Sequence, residues 1–178
     1  NSNFVERAQI IRGLILSTLS QTNILLLGTP GTAKSMIVNR WNQHITGSKY
    51  FSWLLTRFSV PDELFGPISM KGLKEDRFYR NTDGKLPEAN TAFLDEVFKA
   101  NSGILNSLLT IMNERVFYNE GLPKRVPLFT LAGASNEVSE KEDGSVLVIS
   151  DEDDFTIFSA INDSQIELMV DICGENDL

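Results

Sequence analysis

The stretch Ile24-Leu25-Leu26-Leu27-Gly28-Thr29-Pro30-Gly31-Thr32-Ala33-Lys34-Ser35 constrains this chain more than any other. An apolar run that reads as a buried strand enters a loop of small residues, then Lys-Ser, then a helical pattern from about Met36. This is the layout of a phosphate-binding P-loop. Small residues let backbone N–H groups turn inward around a polyphosphate. The following helix points its positive end at the same anion. Lys34 can reach the β- and γ-phosphates, and the Ser35 hydroxyl can ligate Mg²⁺. The predicted cofactor-binding set is Gly28, Thr29, Pro30, Gly31, Thr32, Ala33, Lys34, Ser35 and Met36. Ala33 stands where the strict pattern has its second glycine. Alanine is sterically mild there provided its φ stays negative.

Two further segments fit the same chemistry. Thr91-Ala92-Phe93-Leu94 is a short apolar strand pattern, followed at once by Asp95-Glu96. An aspartate at a strand end beside a P-loop can hold Mg²⁺ through water. A glutamate next to it can polarise the attacking water as a general base. Alone, the pair is equally an acidic couple on a surface. Leu128-Phe129-Thr130-Leu131-Ala132-Gly133-Ala134 is another buried-strand pattern, and Asn136 follows it. Its amide can orient the water or touch the γ-phosphate; alone it reads more readily as a turn or cap residue. P-loop, acidic pair and polar residue, each after a strand, form a constellation, because ligands of open α/β sheets sit at those ends.

With these segments quoted, the chain resembles the MoxR group of AAA+ ATPases, and within it RavA-like proteins. The resemblance runs from about Phe4 to Glu137. Besides the P-loop it rests on Phe58-Ser59-Val60-Pro61-Asp62-Glu63-Leu64-Phe65-Gly66-Pro67, on Leu86-Pro87-Glu88-Ala89 and on Phe93-Leu94-Asp95-Glu96-Val97-Phe98-Lys99-Ala100. It also rests on Leu105-Asn106-Ser107-Leu108-Leu109-Thr110-Ile111-Met112-Asn113-Glu114-Arg115 and on Ala134-Ser135-Asn136-Glu137. RavA-like proteins also carry alanine before the P-loop lysine. The resemblance implies Walker A roles for Lys34 and Ser35 and Walker B roles for Asp95 and Glu96, with Glu96 activating water. It implies sensor 1 at Asn136, an insertion in helix 2 from Pro61 to about Pro87, and a hairpin from about Val116 to Val126. It further implies Mg²⁺ and ATP or ADP as cofactors, a ring that is usually hexameric, and chaperone-like remodelling or maturation of partners. The partner often carries a von Willebrand factor A domain.

Composition agrees with one globular domain. The chain has 178 residues, 42% apolar and 22% charged, ordinary values for a soluble fold. No run approaches the ~18–20 apolar residues of a membrane span. No signal peptide is visible, and a cytoplasmic protein is the simplest expectation. The single cysteine, Cys173, excludes an internal disulfide. His44, the only histidine, has no companions for a structural metal site. Starting on Asn1, the chain reads as a trimmed piece of something longer. The net charge of −8 is uneven: residues 1–138 carry +3 and residues 139–178 carry −11. Such an acidic block repels nucleic acid and reads as a solvated tail or a surface for a basic partner.

The expected architecture is α/β, a three-layer sandwich on a mostly parallel sheet. Ile11, Leu14, Ile15, Thr18 and Leu19 repeat at helical spacing before the first strand. By the resemblance, Val5 to Ile11 border the adenine. Tyr50 to Leu55 reads as a strand. Pro61 to Leu86 is an excursion from the core. Ile104, Leu105, Leu108, Leu109 and Met112 form a helical stripe after the start signal Asn101-Ser102. The division expected is a nucleotide-binding core over 1–138 and an acidic segment over 139–178, with a strand near 145–149 and a short helix near 164–171.

After Asn136 the resemblance fails. The family continues through an arginine finger and a helical lid with a second sensor arginine, whereas this chain has no arginine after Arg125. No lid is recognisable, so the chain is a fragment or a diverged lineage. Arg115 is a substitute finger candidate by analogy, or else a cation at a helix C-terminus. The expected function is a Mg-ATP-dependent ATPase of MoxR type, weak in isolation. The alternative is a nucleotide-gated binding module with little turnover. A small-molecule kinase is disfavoured, since no acceptor-binding signature is present.

Overall fold

In the computed structural model, the residues described are 8–27, 33–135, 147–150 and 156–160. The elements in chain order are α1 (Ala8–Ser20), β1 (Asn23–Leu27), α2 (Lys34–Asn42), β2 (Tyr50–Leu54), α3 (Pro61–Phe65) and α4 (Met70–Lys74). There follow β3 (Thr91–Asp95), α5 (Ser102–Glu114), β4 (Val116–Asn119), β5 (Leu122–Arg125), β6 (Thr130–Ser135), β7 (Leu147–Ser150) and β8 (Thr156–Ala160). Single 3-10 turns span Leu86–Glu88 and Val97–Lys99.

The sheet runs β2-β3-β6-β1-β8-β7. The first four strands are mutually parallel; β8 joins β1 antiparallel, and β7 joins β8 antiparallel. Side chains alternate across the pleat, and β3 shows the result. Ala92 and Leu94 enter a cluster with Ile104, Leu108 and Ile111 of α5 and Leu64 and Phe65 of α3. Phe93 enters the opposite cluster, with Ile10 and Leu14 of α1 and Ile37 and Val38 of α2. The central strands are covered on both faces: every residue of β6 is buried, and so are the first four of β3, whereas the edge strand β2 exposes Ser52 and Leu54. This is the expected α/β architecture.

Helical stripes were legible but shifted. In α1 the core face is Ile10, Gly13, Leu14 and Ser17, while the predicted Ile15 and Leu19 are exposed. Of the five predicted positions only Leu14 is fully buried, because a stripe of apolar candidates does not fix which side of the helix meets the sheet. In α5 Ile104, Leu108 and Ile111 are buried, Leu105 and Met112 pack at the margin, and Leu109 is exposed. The start signal holds: the Asn101 side chain accepts the Ile104 N–H at 3.1 Å.

The excursion after β2 folds back through two glycines. Gly66 has φ 93, and a Cβ there would lie 1.8 Å from the Asn81 carbonyl oxygen. A Cβ on Gly72 would lie 2.4 Å from the Tyr79 ring. The β4–β5 hairpin turns at Glu120 (φ 57) and Gly121 (φ 72), two left-handed residues that match the strand twist. Hairpin and excursion are bolted together. Arg80 N–H donates to Asn119 Oδ1 at 2.8 Å, and Asn119 Nδ2 donates back to Arg80 O at 3.0 Å. Arg77 donates twice to the Glu120 carboxylate, at 2.7 and 2.9 Å. That bidentate pair lowers the Glu120 carboxyl below its ordinary range.

Val5, Gly28 to Thr32, Asn136, the helix expected near 164–171 and Cys173 lie outside the described residues. Among the described residues, no helix is long and apolar enough to cross a membrane.

Candidate nucleotide-binding site

Parallel register brings three strand ends to one level. Leu27 of β1 pairs with Ser135 of β6, and Leu94 of β3 pairs with Gly133 of β6. Asp95 thus ends its strand near the point where β1 hands the chain to the P-loop. The loop returns at Ala33, and Lys34 and Ser35 open α2.

The side chains converge there. Ser35 Oγ donates to Asp95 Oδ2 at 2.7 Å. Asp95 Oδ1 accepts the Glu96 N–H at 3.0 Å. Lys34 is buried, at 6% exposure. Burial lowers its ammonium pKa, and the nearby charges of Asp95 and then Glu96 oppose that shift. A buried cation at a helix N-terminus is an arrangement that can receive an anion. Met36 is exposed on the first turn of α2.

Ala33 corrects an expectation. Its φ is 62 and its ψ 21, in the left-handed region and not at negative φ. The turn from loop to helix requires that conformation, which is why glycine is usual at this place.

Glu96 is left-handed too, with φ 54 and ψ 43, and precedes the turn Val97–Lys99. Its Oε2 stands 3.3 Å from Lys99 Nζ. Sequence reasoning missed this lysine, although its signal was the plain spacing of three residues. Gly133 lies under the turn: a Cβ there would meet Val97 Cγ1 at 3.6 Å and Leu25 Cδ1 at 2.9 Å.

Arg115 does not face outward as a finger. It donates to Asn23 Oδ1 at 3.1 Å, to Gln21 O at 2.6 Å and to Phe129 O at 3.2 Å. It ties the end of α5 to the starts of β1 and β6, and burial lowers its pKa. The alternative reading, a cation at the helix C-terminus, matches its place as the left-handed residue after α5.

A cleft of about 420 Å³ lies elsewhere, between Asp76–Arg80 and Tyr118–Gly121, where excursion meets hairpin. It contains none of the strand-end residues.

Residues 1–172 match the family described as the MoxR domain in the MoxR-vWA-beta-propeller ternary systems. The chain belongs to the MoxR family. Two uncharacterized proteins of Methanocaldococcus jannaschii are each 51% identical over 144 residues, covering 80% of this chain and 38% of theirs. A structural protein of Acidianus two-tailed virus is 30% identical over 142 residues, covering 78% of this chain and 23% of its own. The MoxR chain thus spans well under half the length of these relatives. Among solved structures, a Cytophaga hutchinsonii protein assigned as an ATPase matches with TM-score 0.57 and 19% identity, over 97% of this chain and 52% of that one. NtrX of Brucella abortus matches with TM-score 0.50 and 14% identity, over 75% of this chain and 31% of that one. These likenesses show the fold, that of a P-loop AAA+ ATPase.

Proposed function

We propose that this MoxR domain binds Mg-ATP at the ends of β1, β3 and β6 and hydrolyses it when a ring supplies the missing arginine. The observation that carries the reading is the 2.7 Å contact between Ser35 Oγ and Asp95 Oδ2, which joins residues 60 apart in sequence. Two hard oxygen donors meeting beside a buried lysine suit Mg²⁺, which takes few protein ligands and completes its shell with water and phosphate. Among the described residues no group of three or more His, Cys, Asp or Glu could hold a metal alone.

In this reading Lys34 draws the β- and γ-phosphates to the N-terminus of α2. Gly28, Thr29, Gly31 and Thr32 offer backbone N–H groups around them, Pro30, which has no N–H, shapes the loop, and Met36 borders the bound nucleotide. Ser35 and, through water, Asp95 hold the cation. Bound Mg²⁺ supplies charge neutralisation across the phosphate oxygens. Glu96 accepts a proton from the attacking water, and Asn136 orients that water. The nucleotide site lies within residues 1–138; the acidic segment 139–178 supplies none of its residues, although β7 and β8 extend the same sheet beside β1. Work is done on partner proteins in the cytoplasm, by a ring of about six subunits. The family description points to a von Willebrand factor A-domain protein and a β-propeller as companions.

Titration calorimetry with ATP and Mg²⁺, followed by phosphate release on the same sample, tests this. Lys34→Ala abolishes binding, and Glu96→Gln keeps binding while abolishing turnover. Unchanged affinity in Lys34→Ala removes the P-loop assignment. A nucleotide-gated module without turnover is the second reading. Arg115 is occupied within its own chain, and residues 126–178 hold no arginine. Binding without phosphate release at any protein concentration selects that reading.

A further inference from the structure

Lys99 has no part in the roles assigned above. It closes the 3-10 turn that follows Glu96, and its ammonium stands 3.3 Å from Glu96 Oε2. The glutamate side chain is 14% exposed and the lysine side chain 49%. The backbone of Glu96 has little freedom: it sits in the left-handed region, and its N–H is held by Asp95 Oδ1. Only the side-chain torsions of Glu96 are left to carry its carboxylate from one partner to another. A general base must aim an oxygen at the water proton it removes. A carboxylate drawn to an ammonium one turn along the chain has that charge directed elsewhere.

We propose that Lys99 is a positioning residue that restrains Glu96, so that turnover requires the Glu96–Lys99 pair to open. The inference rests on the reading of Glu96 as the base. The asymmetry of exposure gives the restraint a handle. Lys99 reaches solvent, so an anionic group from outside the chain can take its ammonium and remove this hold on Glu96. Glu96 is too enclosed to be reached first.

The pair itself is tested by thermal unfolding of Glu96→Gln, Lys99→Met and the double variant. The expected result is non-additive: the double variant departs from the sum of the single shifts by about 1–2 °C. Additive shifts overturn the pair. The restraint is tested by kinetics. Lys99→Met keeps an unbranched stem of similar length without the ammonium, and it raises steady turnover by ~3–10-fold. ATP KM stays within about twofold, because Lys99 does not touch the nucleotide in this reading. Lys99→Arg restores the parent rate. Turnover that is unchanged or lower in Lys99→Met overturns the restraint, as does failure of arginine to restore it. Turnover that survives Glu96→Gln sinks the base assignment instead, and the unfolding cycle still reports separately on the pair.

Discussion

Ala33 carries backbone strain in plain view. A non-glycine residue at φ 62 costs about 1–2 kcal/mol relative to glycine, partly offset by the greater freedom glycine has in the unfolded chain. Ala33→Gly is therefore expected to stabilise the domain by up to about 1 kcal/mol, raising Tm by about 2–4 °C in a melt followed by circular dichroism. A lower Tm would place the strain elsewhere. Ser35 and Asp95 make a second residue-scale prediction. If their contact is the cation site, Ser35→Ala lowers Mg²⁺-dependent ATP affinity by about tenfold while Mg²⁺-free binding changes little. Equal losses with and without Mg²⁺ would deny the site to the metal. Most of these residues were legible in the sequence, since their chemistry is local: a lysine and a serine after a small-residue loop, an acid pair after an apolar strand. The sign of φ at Ala33 was not. It depends on how the loop meets α2, and alanine carries no mark of that.

The excursion and the β4–β5 hairpin behave as one body because of contacts that no local pattern announces. Arg77 and Glu120 are separated by 43 residues, and neither lies in a motif. The hairpin turn was readable from its place in the family resemblance; the bolt across to Arg77 and Arg80 required coordinates. Gly66→Ala is expected to cost about 3 kcal/mol, through the close approach to Asn81 and the strained φ together. Hydrogen exchange should show it first in residues 61–87. The Arg77–Glu120 bond adds a pH dependence. The folded-state pKa of Glu120 lies below its unfolded value. Its contribution is therefore complete above the ordinary glutamate range and is lost as pH falls through the folded value. Faster amide exchange relative to the intrinsic rate at each pH, in residues 76–80 and 118–121 on acidification below about pH 4, is the expected sign. Glu120→Gln should show that fast exchange already at pH 7; identical exchange in both proteins would mean the bond holds nothing.

For the whole molecule, the sequence showed its fold because strand and helix patterns alternate and the site motifs punctuate them in order. The pattern could not show that β8 runs antiparallel against β1, since a pairing partner is a property of two segments. Nor could it show that Arg115 turns inward. The acceptors it meets, on Gln21, Asn23 and Phe129, come from distant parts of the chain. With that arginine committed, the isolated chain is expected to bind ATP and hydrolyse it slowly, since an arginine finger is worth ~10³–10⁵ in rate in related chemistry. Phosphate release per subunit should rise steeply with protein concentration if a neighbour supplies the charge. Steady turnover near about one per second by a monomer would refute this.

The ladder that pairs Leu27 with Ser135 and Leu94 with Gly133 also acts as a ruler. Successive side chains alternate between faces, so a slip of one pair would not weaken the contact between Ser35 and Asp95; it would exchange the acid for a neighbour from the other face. Intermediate geometries are closed off by the pleat. Damage to folding should therefore appear as a smaller count of competent molecules, each as good as before. A partly misfolded sample would show reduced stoichiometry in a nucleotide titration with the dissociation constant unmoved.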